Sequence, residues 1–395
     1  MGVDITISTR QGACYAGEVI EGAVHVNVAA KNAEGSSANE LVLRLFGVAK
    51  TTVMYDTTNM AHNGSNNAQS YTHREMLREK KEFLSYEVQL ASFGGKAASG
   101  SHNFPFSVML PPGLPPSMKE DGSQGGSCEI VYGFEAKLHR PGMLHFDAKG
   151  KAKLQVLTRP REAQAAVPVL AGPATQTVKK FCCFKSGSMS IGFQADSSAV
   201  GLSESVGLTF VARNDSSAEV NSINVEIKQV STWYARGYKE TKTRTVASVV
   251  VPGTQLRAAE LGNQRGQSSS AIADTARADL QEQLTAGAGN HHELLIPGNT
   301  LLTLQADLIE VKHMLSVTLK TPHCISSPDV WTPLIVHAGT TSSAAGGVPG
   351  EGSFQPHSGE AVPFATGLDA DGNVKPVSVP QSAVTMTYTN ELPKF

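Results

Sequence analysis

The chain has no apolar run approaching the roughly 18 residues that a membrane-crossing helix needs. Its opening, MGVDITISTRQGACYAGEVIEG, alternates apolar and polar residues and lacks the continuous apolar stretch of a secretory signal. Cysteine is scarce and odd in number: Cys14, Cys128, Cys182, Cys183 and Cys324 are scattered over 395 residues. That distribution argues against a secreted disulfide scaffold and for a reducing, cytoplasmic setting. A surplus of either charge is also missing. The formal net charge of −2 gives no global pull toward nucleic acid or anionic membrane. No glycine-rich phosphate loop follows a strand and opens a helix, so no cofactor is expected. Met1-Gly2 begins like a myristoylation signal, but Ile5-Thr6 fits the rest of that pattern only loosely.

What is present is a period of two. In IVYGFEAKL, Ile130, Tyr132, Phe134, Ala136 and Leu138 share one face, with Glu135 and Lys137 on the other. INVEIK sets Ile223, Val225 and Ile227 against Asn224, Glu226 and Lys228, and IEVKHMLSVTL (309–319) and LSYEVQL (84–90) alternate likewise. Such alternation reads as half-buried antiparallel strands with one face to a core. Many of them, separated by Gly, Pro and Ser clusters, predict β-sandwiches. A chain of this length is too long for one ordinary core. TRPREAQAAVPVLAGPATQT (158–177) has linker composition, and the chain beyond Ala338 lacks the apolar density for a core. The predicted organisation is a sandwich over 1–160, a linker over 161–177, a sandwich over 178–338 and a disordered tail over 339–395. SSSAIADTARADLQEQLTAG (268–287), with Ile272, Ala276, Leu280 and Leu284 at four-residue spacing, fits a short surface helix or a disordered loop equally.

The two blocks repeat one design. YAGEVIEGAVHV and GLSESVGLTFV each place a glutamate, Glu18 or Glu204, in a turn just before a strand. Each block later carries an apolar-proline element, FPFSVMLPPGLP or LLIPGNTLLTL, and then a long alternating strand. Proline in mid-strand forfeits a ladder hydrogen bond, so the prolines after Phe106 are read as ending an edge strand. Asn214–Ser217 is a turn cluster able to bond its own backbone.

Candidate chemical groups are few. Adjacent Cys182 and Cys183 point to opposite sides of a strand, and no matching ligand pair stands at zinc spacing. His291, His292 and Glu293 lack a third ligand, and His323 beside Cys324 has the wrong geometry for a nucleophile and its base. Glu18 and Glu204 fall in separate sandwiches and cannot form a catalytic dyad. No catalytic, cofactor or metal site is assigned. The cations stand out instead: Arg10 follows the first strand, and HREMLREKKEF gathers Arg74, Arg78, Lys80 and Lys81. A solvated strand end is the plainer account of them.

YAGEVIEGAVHV, GSHNFPFSVMLPPGLPPSM, CEIVYGFEAKLHRPG, KKFCCFKSGSMSIGF and VARNDSSAEVNSINVEIKQVSTWYARG, in this order, resemble the arrestins, specifically the arrestin-domain-containing (alpha-arrestin) branch, over residues 3–337. The resemblance implies an all-β protein of two tandem immunoglobulin-like sandwiches without enzymatic activity. It implies a cytoplasmic adaptor joining membrane-protein cargo tails to endosomal trafficking or ubiquitin-ligase proteins, with recruitment to plasma membrane or endosomes through those partners and no nucleic acid. In receptor-binding arrestins, cations near the first strand receive phosphates; only Arg10 matches residue by residue, since Thr9 fills the neighbouring position. The branch usually recruits ligases through Pro-Pro-x-Tyr, which this tail lacks; Tyr388 lies in MTYTNEL. His313 stands where the family often has an aromatic, and no role carries over to it. A constitutive scaffold subunit of an endosomal sorting coat, like the arrestin-fold retromer subunit, is the alternative function on the same fold, and an enzyme built on β-sandwiches is the alternative of another class.

Overall fold

Alternating branched and aromatic residues make strands, and the protein is built almost wholly of them. The computed structural model describes residues 2–29, 36–62, 68–141, 147–157, 167–180, 184–256, 269–322, 327–338, 377–378 and 383. The first domain holds β1 (Val3–Thr9), β2 (Ala13–Tyr15), β3 (Val19–Val28), β4 (Ser36–His62), β5 (Ala68–Ala97), β6 (Gly100–Met109), β7 (Met118–Asp121), β8 (Ser127–His139) and β9 (Ala148–Leu157). The second holds β10 (Val169–Lys180), β11 (Phe184–Ala195), β12 (Ala199–Gly201), β13 (Ser205–Ser216), β14 (Ser222–Ala235), β15 (Tyr238–Pro252), α1 (Ser269–Thr285), β16 (Asn290–Leu295), β17 (Leu304–Gln305), β18 (Ile309–Lys320) and β19 (Asp329–His337). A two-residue strand, β20 (Val377–Ser378), follows in the tail.

In the first domain the sheet β1-β3-β6 packs on β2-β9-β8-β4-β5, with β7 on β8. In the second, β10-β11-β13-β16 packs on β12-β19-β18-β14-β15, with β17 on β18. The orders correspond strand for strand, β1 to β11 through β9 to β19, with β10 and β20 as additions. Side chains from the facing sheets fill each core; Phe106 and Phe134 meet with ring centroids 5.0 Å apart. These are two tandem β-sandwiches, as the alternation implied.

The repeat extends to single hydrogen bonds. Tyr15 N–H donates to Glu18 Oε2 at 2.9 Å, and Gly201 N–H donates to Glu204 Oε2 at 2.9 Å. The residues before the glutamates, Gly17 (φ 85°) and Ser203 (φ 63°), both take the left-handed turn conformation. Leu110 N–H reaches Glu18 O, and Ile296 N–H reaches Glu204 O, both at 2.9 Å. So the apolar-proline elements are structurally equivalent, and both glutamates cap turns. Glu18→Ala and Glu204→Ala should each cost about 1.5–3 kcal/mol, the worth of a charged hydrogen bond, read from the shift in urea midpoint. Asn214 also acts locally: its Oδ1 accepts from Ser216 N–H at 3.0 Å and its Nδ2 donates to Ala218 O at 2.8 Å.

Two sequence expectations change and one left open is resolved. Residues 169–177, assigned to the linker, belong to β10, which pairs antiparallel with β11 and so is part of the second sandwich. As an edge strand, β10 shows little of the alternation that marks a buried one. Within the tail assigned as disordered, Val377 and Ser378 pair parallel with Val108 and Met109 of β6, and Ala383 packs on the first core. The segment left open between helix and loop forms α1, whose Leu280 and Leu284 bury against Val211. Gly192 makes room for it, since a Cβ there would meet Leu284 at 3.0 Å.

β14 and β18 serve both domains. Their Ile223, Val225, Ile227, Leu315 and Val317 lie in the second core, while Trp233, Ala235, Ile309 and Val311 lie in the first. Trp233 is fully buried, and its indole N–H donates to Thr52 O at 2.9 Å across 181 residues.

Candidate functional site

Between the two apolar sections of β14 and β18 lies a polar belt. Gln229 (1% exposed), Ser231 (0%) and His313 (0%) face inward there. Gln229 Nε2 donates to Glu120 Oε2 at 3.2 Å and to Ser231 Oγ at 2.9 Å, and Arg244 Nη2 donates to Gln229 Oε1 at 2.8 Å. Lys242 Nζ donates to Glu120 Oε1 at 2.5 Å and to Asp121 O at 2.7 Å. Val336 N–H donates to Thr303 Oγ1 at 2.8 Å, and Thr303 Oγ1 lies 2.9 Å from His313 Nδ1. Burial, reinforced by the Arg244 charge, pushes His313 down to about 3, so this imidazole is neutral. A further clamp is the Glu240 carboxylate, which occupies space that a Cβ on Gly122 or Gly126 would fill.

On the opposite face of the same first-domain strands is an open depression of about 470 Å³. It is lined by Lys50 and Thr52 of β4, Arg78 and Lys80 of β5, Lys119 and Asp121 of β7, and Ser127 and Glu129 of β8. Register explains the assembly: Lys80 stands opposite Lys50, Lys50 opposite Glu129, and Glu129 opposite Lys119. Arg78, Thr52, Ser127 and Asp121 form the next row in the same order. Lys50 pairs with Glu129 at 2.6 Å, and Lys119 with Asp121 at 3.4 Å. Among the described residues Arg78 and Lys80 form no direct ion pair, and Lys80 acts at longer range on Glu82, two residues further along β5. Half-exposed Met76 lies on the same face one step beyond Arg78.

The alternate residues of these strands point the other way and hold the second domain. Glu79 Oε2 accepts Arg236 N–H at 2.6 Å, Lys81 is ion-paired to Asp307, and Thr51 Oγ1 donates to Tyr234 O at 2.6 Å. The five cations singled out in the sequence therefore separate. Arg78 and Lys80 come together in the depression. Arg74 lies further along the ribbon with its Nε and Nη2 on Asp56, at 2.7 and 3.1 Å, and that hydrogen-bonded guanidinium holds the Asp56 carboxyl below its usual range. Lys81 faces the domain junction, and Arg10 is bound to Glu21 at 2.6 Å, on the other sheet. Lys50 and Lys119 were missed because they stand alone in sequence; only pairing across three strands gathers them.

The other candidates are not brought together. His291 lies 3.2 Å from Thr209 Oγ1, His292 stacks on Phe210, and among the described residues no group of three or more metal-ligating side chains exists. Cys14 and Cys128 are buried, and burial pushes each thiol up to about 12, which leaves them unreactive. Cys182, Cys183, His323 and Cys324 lie outside the described residues. Among the described residues no helix is long and apolar enough to cross a membrane.

Residues 3–160 match the family model for the arrestin (or S-antigen) N-terminal domain, and residues 185–340 match that for the arrestin (or S-antigen) C-terminal domain. No curated protein matches the chain.

Proposed function

The chain belongs to the arrestin family, and from that premise we propose that it is a cytoplasmic adaptor that captures acidic segments of membrane-protein cargo and links them to endosomal trafficking or ubiquitination machinery. Arrestin-family domains are adaptor-type, non-catalytic modules. The observation that carries the finer reading is the gathering of Arg78 and Lys80, neither in a direct ion pair among the described residues, in a depression with Lys50 and Lys119. Charge-assisted hydrogen bonds to carboxylate or phosphate oxygens are the strong ones in a wet site, and Met76 on the same face offers an apolar contact to the same segment. Arg74, Lys81 and Arg10 are already engaged by Asp56, Asp307 and Glu21, so they belong at the margin of this reading.

The test is binding of a fluorescein-labelled peptide of alternating glutamate and serine, measured by anisotropy against the intact chain. Arg78→Glu with Lys80→Glu should weaken it by about tenfold or more, since each charged hydrogen bond is worth roughly 1.5–3 kcal/mol. Added salt should weaken wild-type binding too. Equal affinity for the wild type and the double variant would remove the depression as the site. Proximity labelling in the native cell tests the adaptor role itself: labelling of membrane proteins and trafficking factors is expected, and its lack would overturn the role. A second reading, a constitutive coat subunit, is favoured by the core shared between the domains, which suits a rigid scaffold; a large stable complex on size-exclusion of native lysate would support it.

A further inference from the structure

A sheet edge is a row of unpaired backbone groups, and proteins blunt theirs with brevity, charge, proline or irregularity. Among the described residues every sheet edge but one is managed in this way. β2 and β12 are three residues long. β5 carries Arg74, Arg78, Lys80 and Lys81, and β16 carries His291, His292 and Glu293. β10 is interrupted by Pro173 beside a register shift. β6 contains Pro105 and has Val377 and Ser378 against it. The Ile5 carbonyl of β1 is packed on Gly150, where a Cβ would meet it at 2.4 Å.

The exception is the second half of β15, the last strand of its sheet. Its first half is charged and occupied: Lys242 is held by Glu120, and Arg244 by Gln229. A bulge then leaves Val246 with no partner residue on β14, since Thr245 stands opposite Lys228 and Ala247 opposite Ile227. Beyond the bulge Ala247–Pro252, ASVVVP, pairs residue for residue with β14 and carries no charge. Val251 is buried there, but Val246, Ala247 and Val249 are only partly buried against the second core. That core therefore ends at this edge on apolar side chains still open to water. Ser248 and Val250 are exposed on the other face, Val250 at 61%.

We propose that this half of β15 is a self-association edge, pairing antiparallel with the same segment of a second copy about a twofold axis at Val249. The window is its own complement in that register. Val249 meets Val249 of the second copy and Ala247 meets its Val251, so the open margins of the two cores cover each other. Ser248 meets Val250 of the second copy on the outer face. Arg244 falls opposite Thr254, past the proline that closes the ladder, and stays out of the contact. A twofold axis at Thr243 would instead set Arg244 against Lys242 twice, and like charges directly opposite are destabilising. The charge boundary at Arg244 thus selects both the partner and the register. Closed twofold pairing also uses up the edge in each copy, which ends the assembly at a dimer. Six residues a side is far below the ~800 Å² per partner of a standard interface, so the dimer is weak and forms with concentration.

The test is sedimentation velocity of the full chain from about 2 to about 200 µM, where mass action should shift it from monomer to dimer. Ser248→Lys/Val250→Lys places lysine opposite lysine twice and should weaken the dimer by at least about tenfold. Ser248→Lys/Val250→Glu places lysine opposite glutamate twice and should restore it. Both positions are exposed, so the two variants should melt with the wild type. In the wild type, amide exchange over 247–251 should be at least about threefold slower at the higher concentration. A wild type that stays monomeric throughout would overturn the proposal. So would a dimer that both variants keep, or one that both lose alike. A dimer with concentration-independent exchange over 247–251 would place the contact elsewhere and overturn it too.

Discussion

Trp233→Ala is expected to destabilise both domains at once, by about 3–5 kcal/mol. The side chain issues from the second domain yet is fully buried in the first core, opposite Ile309 in register and in the same core as Val311, Leu304 and Leu308. Its removal leaves a cavity the size of an indole where β14 passes from one core to the other, and it removes the donor that the Thr52 carbonyl accepts at 2.9 Å. Against a total stability of roughly 5–15 kcal/mol per domain, that loss should lower the melting temperature by roughly 10 °C. Trp233→Phe keeps most of the apolar area and loses only the hydrogen bond, so it should cost about 1–2 kcal/mol. The chain has two tryptophans, and Trp331 is 44% exposed. Blue-shifted emission therefore reports on Trp233, and the alanine variant should show only the red-shifted component. If the variant melted the second domain alone, with the first unchanged, the shared core would not be coupling them.

The sequence is informative where one strand and its immediate turn settle the answer. Alternation in IVYGFEAKL and INVEIK located β8 and β14, and the repeated glutamate before a strand located two turns whose capping bonds agree in length. It is uninformative where a partner distant in the chain decides. β10 looks like linker because one edge is unpaired and its side chains have little to alternate against. The helical stripe of Leu280 and Leu284 gains meaning only from Val211 and the space above Gly192. Nothing in the unbroken alternation of β14 says that its first half serves one core and its last residues another. The same limit applies to the depression. HREMLREKKEF is visibly basic, but a period of two sends Arg78 and Lys80 to one face and Lys81 to the other. Lys50 and Lys119 join them through register alone, across hairpins whose pairing the chain does not write locally.

His313 gives the second large effect, a steep loss of stability in mild acid. The residue is fully buried in the belt between the two cores, with Gln229 beside it in register, Arg244 and Lys242 on β15, and Glu120 reaching in from β7. Burial first, and the Arg244 charge next, depress it to about 3, whereas a histidine in the unfolded chain titrates near 6.5. Above about pH 6.5 it is neutral in both states and adds no pH dependence. Between about 6.5 and about 3 the unfolded chain takes up a proton that the folded chain refuses, so stability falls as the pH falls, by up to about 1.4 kcal/mol per pH unit. His313→Gln keeps a polar side chain for Thr303 and removes the titration. From pH 7 to pH 5 the wild type should therefore lose about 2 kcal/mol more than the variant does, seen as urea midpoints that run parallel above neutrality and diverge below it. Curves that stay parallel down to pH 4 would mean that His313 accepts its proton in place, and that the belt between the domains admits water and charge as the surface does.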